Sequence, residues 1–117
     1  MIRIDPRSDV PPFEQLRVHL LGRVQSGELS AGAKLSTVRG LASDLGIAPN
    51  TVARAYRELE ADGIIETRGR NGTFVSAQGD VTEQQAQIAA RAYADRIHQL
   101  GVSRDAALTW AAAALKD

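Results

Sequence analysis

Amide and cationic side chains of the types that bind DNA lie along one face of a predicted helix. At about 100° per residue, Asn50, Arg54 and Arg57 fall on the face opposite the apolar side of this predicted helix. In the major groove, arginine forms two hydrogen bonds with guanine and asparagine forms two with adenine. Both side chains also contact phosphates. These residue types favour a DNA-reading helix. The alternative is a solvated face on which Arg54 pairs with Glu58, four residues on.

Further cations lie on both sides of this helix. Residues 68–73 combine Arg68 and Arg70 with glycines that permit close backbone approach to a phosphate or to the minor groove. Taken alone, such a segment is also typical of a solvent-exposed turn. A winged helix-turn-helix would gather six cations on one side, namely Lys34, Arg39, Arg54, Arg57, Arg68 and Arg70. The predicted site is therefore a local basic patch.

The residue types do not indicate a catalytic site or a metal site. The chain has no cysteine, which excludes disulfides, cysteine zinc sites and thiol nucleophiles. His19 and His98 lie on different predicted helices without a spaced set of carboxylates. Ser36 and Thr37 have no base nearby in sequence, and residues 69–72 lack the lysine of a phosphate loop. We expect no metal, no cofactor and no enzymatic activity.

Composition and charge limit the class of protein. A length of 117 residues with 44% hydrophobic and 24% charged residues is typical of one small globular unit. The formal net charge is zero, which counts against coating nucleic acid by bulk charge. The first ten residues alternate charges where a signal peptide needs an apolar core, and no apolar run is long enough to span a membrane. We expect a cytoplasmic protein without membrane attachment.

Three helices are predicted in the first half of the chain. The first begins at Pro11 and Pro12, with an apolar stripe of Leu16, Leu20 and Val24, and Gly27 stops it. Residues 29–32 predict a connecting turn. Ser36 or Thr37 caps a short second helix over residues 38–45. The third helix runs from about Pro49 to Asp62, and its predicted core face is Val52, Ala55, Tyr56 and Leu59.

A hairpin and two more helices follow. Residues 64–68 and 73–76 are rich in β-branched and aromatic types around a Gly-rich tip, which predicts a β-hairpin. Thr82 and Gln85 fit a capping box, and Ser103 is a second predicted N-cap. The residues predicted to face inward on the fourth helix are Ala86, Ala89, Tyr93, Ile97 and Leu100. Those of the fifth are Leu108, Ala111 or Ala112, and Leu115, with Trp110 beside them.

This order predicts a mainly α fold with a small β-hairpin wing, a winged helix-turn-helix followed by a two-helix dimerisation hairpin. The predicted divisions are an N-terminal segment at 1–10, the DNA-binding domain at 11–76, a linker at 77–81 and the dimerisation segment at 82–117. About 36 residues in two helices bury little surface alone, so the last segment needs a partner surface. In two copies a four-helix bundle would bury Tyr93, Ile97, Leu100, Leu108, Trp110 and Leu115. The alternative is that these helices fold back on their own winged helix.

Four motifs follow one another between about residues 11 and 76. They are Leu35-Ser-Thr-Val-Arg39-Gly-Leu-Ala, Leu45-Gly-Ile-Ala-Pro-Asn-Thr-Val-Ala-Arg-Ala-Tyr-Arg-Glu-Leu-Glu60, Asp62-Gly-Ile-Ile and Arg70-Asn-Gly-Thr-Phe-Val75. Their order and spacing resemble the GntR family of bacterial transcriptional regulators. The start of the third helix and the short tail are similar to the YtrA subfamily, which joins a winged helix to a two-helix dimerisation segment.

The resemblance implies a repressor that binds a two-fold symmetric operator of double-stranded DNA as a homodimer. Arg39 matches the operator-contacting arginine of the family's Leu-Pro-Ser-x-Arg motif, Asn50 and Thr51 match the start of the recognition helix, and Gly72 and Thr73 match the wing. The predicted DNA-contacting residues are Lys34, Arg39, Asn50, Thr51, Arg54, Arg57, Arg68, Arg70, Gly72 and Thr73. Neither the existence nor the identity of a small-molecule effector follows from the sequence. The alternative function is a winged-helix module that binds another protein and no specific DNA.

Four positions depart from the family pattern. Ser36 replaces the motif's proline, and Pro49 and Ala53 stand where many relatives have arginine. We therefore expect no phosphate contacts from Pro49 and Ala53, and a base preference unlike that of those relatives. Ala48 precedes the third helix and has no side-chain acceptor, so we also expect a poorly capped recognition helix.

Overall fold

The computed structural model describes residues 2–79 and 81–116, with the side chains of all of these except Val81 and Thr82. The elements in chain order are α1 (Pro12–Gln25), α2 (Val38–Leu45), α3 (Pro49–Ala61), β1 (Ile65–Thr67), a 3₁₀ turn (Gly69–Asn71), β2 (Thr73–Val75), α4 (Val81–Leu100) and α5 (Arg104–Ala114). The predicted order, a winged helix-turn-helix followed by two helices, is confirmed.

Capping side chains fix two of the predicted helix starts. The Thr37 hydroxyl accepts the backbone N–H of Gly40 at 3.0 Å, which decides between Ser36 and Thr37 as the cap of α2. Ser103 caps α5 as predicted, accepting the N–H of Ala106 at 3.2 Å. The predicted capping box at the start of α4 depends on Thr82, whose side chain lies outside the described ones; the helix itself already includes Val81.

The core forms where α3 packs against α1 and α2. The four predicted core residues of α3, Val52, Ala55, Tyr56 and Leu59, are all buried. They join Leu16 and Leu20 of α1, Ala42 of α2 and Ile65 of β1 in one cluster. Full burial of a valine or leucine side chain contributes about 1.5–3 kcal/mol, so this face of α3 anchors the fold.

Tyr56 brings a hydroxyl group into this core. Its hydroxyl donates to the backbone carbonyl of Ser36 at 2.8 Å, so the buried phenol keeps a hydrogen-bond partner. Burial disfavours the phenolate and raises the pKa of Tyr56 to about 12. This bond ties the centre of α3 to the segment that leads into α2.

The wing contains one more paired segment than the sequence indicated. β1 and β2 are antiparallel, with Glu66 opposite Phe74 and Thr67 opposite Thr73. Residues 32–35 lie along the other edge of β2, where the Gly32 N–H donates to the Val75 carbonyl and the Leu35 N–H to the Thr73 carbonyl, both at 2.8 Å. The prediction of a two-stranded hairpin preceded by a turn was incomplete. The added segment is too short and too poor in β-branched residues to give a strand pattern.

The first residues of the chain join the same core. Ile2 is 9% exposed and belongs to the cluster around α3. The Gln15 side chain on α1 accepts the Asp5 N–H at 2.8 Å and donates to the carbonyls of Asp5 at 2.9 Å and Val10 at 2.7 Å. One glutamine therefore holds the predicted N-terminal segment against α1.

The last two helices extend away from this core. Of the stripe predicted to face inward on α4, only Ile97 is buried, and on α5 the buried residue is Ala107 rather than Leu108 or Leu115. The prediction of an inward stripe is therefore wrong within one chain, because no other described element covers those side chains. The radius of gyration is 16.4 Å, whereas a compact chain of this length has one of about 13 Å.

We expect Ala48→Asn to stabilise the protein by about 1 kcal/mol, because Ala48 occupies the N-cap of α3 and offers no side-chain acceptor. Its extended backbone, with φ −66° and ψ 141°, suits a capping side chain. Thermal and urea unfolding would measure the gain. Ala48→Val, which adds a side chain without an acceptor, is the control and should not stabilise. Equal stability of the Asn and Val variants would contradict this cap placement.

Candidate nucleic-acid interface

The exposed face of α3 presents an amide and a cation to solvent. Asn50 and Arg57 are exposed, Thr51 is half-buried, and none of the described residues forms an ion pair with Arg57. Asn50 and Arg57 lie opposite the buried apolar face and Thr51 lies to one side, so the helix is held from one side and is open on the other. An asparagine and an arginine on such a face have the donors and acceptors for major-groove contacts.

Arg54 lies on the same helix but is already engaged. Its guanidinium carbon is 3.6 Å from the centroid of the Phe13 ring on α1, and its Nε is 3.4 Å from Glu58 Oε2. The pairing with Glu58 weighed from the sequence is therefore present, and a cation–π contact accompanies it. The stacking was missed because Phe13 is far from Arg54 in sequence and no local pattern links them. The Arg54 side chain remains 57% exposed.

The first turn of α1 adds a second ion pair beside this stack. Arg17 Nη2 donates to Glu14 Oε2 at 3.0 Å. The Arg17 hydrogen bond lowers the pKa of Glu14, with a smaller contribution in the same direction from the charge of Arg54. Glu14 therefore pairs with Arg17, and Glu58 with Arg54, where α1 meets α3.

The α2 helix contributes one exposed cation. Arg39 is in the first turn of α2, and its side chain has no ion pair within residues 2–79 and 81–116. A helix N-terminus carries a partial positive charge, and an arginine in its first turn adds a full one. This combination suits a phosphate group.

The wing tip gathers Lys34, Arg70 and a glycine. The backbone of Lys34 forms an antiparallel β-bridge with Phe74. The Lys34 side chain passes over Gly72 so closely that a Cβ added to Gly72 would lie 2.9 Å from Lys34 Cε. Gly72 also has φ +113°, a conformation that L side chains rarely adopt. Arg70 is exposed in the 3₁₀ turn beside it. The extra paired segment therefore carries Lys34 to the tip, next to Gly72 and Thr73.

Arg68 is placed differently from the other wing cations. Its guanidinium carbon is 4.3 Å from the centroid of the Phe74 ring, and its Nε is 3.1 Å from Glu66 Oε2. Glu66 and Phe74 are cross-strand partners, whose side chains share one face of the sheet. Arg68 and Glu66 line a cleft against α4 together with Arg91. Arg68 therefore remains part of the wing tip, where its backbone N–H donates to the Gly72 carbonyl at 2.8 Å, but its guanidinium is engaged by Glu66 and Phe74.

A hydrogen bond connects the wing to α3. The Thr67 hydroxyl donates to Glu60 Oε2 at 2.7 Å.

Within the described residues no group of three or more histidine, cysteine or acidic side chains is arranged to hold a metal ion. In the same part of the chain no helix is long and apolar enough to cross a bilayer.

The sequence and the fold are similar to those of known regulatory proteins. Residues 12–75, more than half of the chain, match the model of the bacterial regulatory proteins of the gntR family. The chain belongs to the GntR family. An HTH-type transcriptional regulator of Mycobacterium tuberculosis is 45% identical to it over 109 residues, which are 93% of this chain and 89% of that protein. The transcriptional repressor YtrA of Bacillus subtilis is 44% identical over 82 residues, 70% of this chain and 63% of YtrA.

Solved structures agree with this assignment. The GntR-family transcription factor YtrA from Sulfolobus acidocaldarius matches with a TM-score of 0.62 at 27% identity, covering 97% of this chain and 96% of that one. The similarity to the YtrA subfamily inferred from the motifs is therefore confirmed, as is the winged helix-turn-helix of this GntR-family chain.

We expect Phe13→Ala and Arg54→Ala to be coupled in a double-mutant cycle by about 0.5–1 kcal/mol of unfolding free energy, because each removes one half of the stack. Urea unfolding of the four proteins measures the coupling. Phe13→Ala combined with Arg57→Ala is the control and should be additive, since Arg57 is on the open face. Additivity of the Phe13 and Arg54 changes would show that the stack contributes nothing.

Proposed function

We propose that this GntR-family chain is a sequence-specific DNA-binding transcriptional regulator, a repressor, that acts as a homodimer on a two-fold symmetric operator in the cytoplasm. The observation that carries the proposal is the open face of α3, with Asn50 and Arg57 exposed on a helix whose other face is fully buried. A helix anchored in this way enters the major groove without rearranging its own domain.

The DNA-contacting residues divide by position. Asn50, Thr51 and Arg57 on α3 read base edges. Phosphate contacts come from Arg39 on α2 and from Lys34 and Arg70 on the wing, where the backbone of Gly72 and Thr73 approaches the duplex. Arg54 and Arg68, each stacked on a phenylalanine and paired with a glutamate, hold neighbouring elements instead of reading DNA.

Dimerisation rests on the surface of α4 and α5. Leu100, Leu108, Trp110 and Leu115 are between 56% and 85% exposed, and Tyr93 is 40% exposed while its hydroxyl donates to the Ala107 carbonyl at 2.8 Å. Monomeric proteins rarely expose this many large apolar side chains on one small unit. A second copy would cover them together with Ile97 in a four-helix bundle.

Repression and the absence of catalysis complete the proposal. The Bacillus subtilis relative is named a repressor, and a dimer bound over a promoter represses simply by occupying it. The family is one of transcription regulators, and we propose that this chain has no enzymatic activity and needs no cofactor. The competing function, a module that binds another protein through α3, predicts no preferred DNA sequence.

We expect selection from a random double-stranded DNA pool to yield an inverted repeat with half-sites about one or more helical turns apart. With three phosphate-contacting cations in each subunit, six in the dimer, the logarithm of the dimer's affinity should fall against the logarithm of the salt concentration with a slope of about −5. Arg39→Ala should reduce that slope by about two per dimer. Arg96→Ala on α4, whose guanidinium contacts Gln99, is the matched control and should leave it unchanged. No enriched sequence, with weak binding that vanishes in salt, would favour the protein-binding module.

Light scattering should give about twice the 12.5 kDa chain mass at micromolar concentration. Leu108→Asp should shift the protein to the monomer, because it places a charge in the proposed interface. Val18→Asp, on an equally exposed position of α1, should remain dimeric. A wild-type monomer under these conditions would overturn the proposed dimer.

A further inference from the structure

The contact between α4 and the winged helix depends on a few polar side chains. The core cluster around α3 contains no α4 residue. Between the wing and α4 lies an open cleft of about 420 Å³, lined by small and apolar residues such as Val75 and Ile88 and by charged groups such as Glu66 and Asp95. Within the described residues, the apolar core that fixes α3 therefore does not extend to α4.

Gln87 on α4 binds the backbone of Gln78 on both sides. Its Oε1 accepts the Gln78 N–H at 2.9 Å, and its Nε2 donates to the Gln78 carbonyl at 2.9 Å. A carboxamide that pairs with one residue in this way imitates a strand partner and fixes both distance and direction. Gln78 is thereby attached to α4 about two turns from the helix start.

Gln78 is attached in turn to the winged helix. Its side-chain Nε2 donates to the carbonyls of Ser76 at 2.9 Å and Gly63 at 3.4 Å. Ser76 follows β2, its N–H donates to the Ile64 carbonyl at 3.0 Å, and Gly63 follows α3. A continuous series of hydrogen bonds therefore connects the end of the recognition helix to α4 through Gln78.

A second contact lies one helical turn further along α4. The Arg91 side chain covers Gly32 so closely that an added Cβ there would lie 2.6 Å from Arg91 Cδ. Gly32 is in the segment paired with β2, since its N–H donates to the Val75 carbonyl. Arg91 Nε is 3.2 Å from Asp95 Oδ1, which holds the side chain along the helix. Gln87 and Arg91 are four residues apart and share one face of α4.

We propose that Gln87 and Arg91 hold the winged helix at one angle to α4 and thereby determine the half-site spacing that the dimer accepts. The inference rests on the proposed function, because spacing has meaning only for a dimer on an inverted repeat. Each base pair added between half-sites rotates one relative to the other by about 34° and moves it by about 3.4 Å. A rigid joint satisfies one spacing, whereas a loose joint follows several.

The test is the affinity of purified full-length protein for a series of operators, built from the selected half-site, whose spacer is changed by one and two base pairs in each direction. Wild type should prefer one spacer by about tenfold or more. The double variant Gln87→Ala/Arg91→Ala should reduce that preference to about threefold or less, with unchanged affinity for an isolated half-site and unchanged dimer mass. Gln87→Glu keeps the acceptor and loses the donor, so it should give an intermediate profile.

The chain offers a matched control on the same helix. Arg96→Ala/Gln99→Ala removes another arginine and glutamine, which contact each other at 3.2 Å, and should retain the wild-type spacer profile. A wild-type profile in Gln87→Ala/Arg91→Ala would overturn the inference. So would an equal loss on isolated half-sites, since that is the effect of a damaged winged helix. Failure of wild type to bind any inverted repeat would instead overturn the proposed function, and is seen before any variant is compared.

Discussion

The burial of one face of α3 is the constraint on which the rest of the molecule depends. Val52, Ala55, Tyr56 and Leu59 are removed from water by α1 and α2, and the Tyr56 hydroxyl finds its acceptor at Ser36. Because the side chains of a helix are fixed once one face is buried, the opposite face must carry Asn50 and Arg57 into solvent. The placement of the proposed DNA-reading surface thus follows from apolar packing.

Some arginines of the winged helix are paired within the protein, and others have no ion pair among the described side chains. Arg54 and Arg68 each stack on a phenylalanine and pair through Nε with a glutamate, so part of each guanidinium is already engaged. Arg39, Arg57 and Arg70 have no ion pair among the described side chains. The net charge of the chain is zero, so most of its cations are balanced by acidic groups. In the proposed dimer, two-fold symmetry doubles the number of phosphate contacts that one small basic patch makes.

Periodicity and turn chemistry were sufficient to predict the helices of the winged domain and the core face of α3. They could not predict the pairing of residues 32–35 with β2 or the stack of Phe13 on Arg54, because both join residues that are distant in sequence. The α4 and α5 stripes show the opposite difficulty. Their apolar periodicity is real, yet only Ile97 of the α4 stripe is buried, since no other described element covers the rest of the stripe. Sequence periodicity predicts an apolar face without showing what covers it.

The most direct measurement of the central claim is a crystal structure of the full chain on its selected operator. We expect two copies with α3 of each in a major groove, Asn50 and Arg57 at base edges, and Arg39, Lys34 and Arg70 at phosphates. Arg54 should remain on Phe13, and the Gln87 contact to Gln78 should be retained. A complex in which DNA lies against another surface, or in which α3 stays outside the groove, would contradict this expectation.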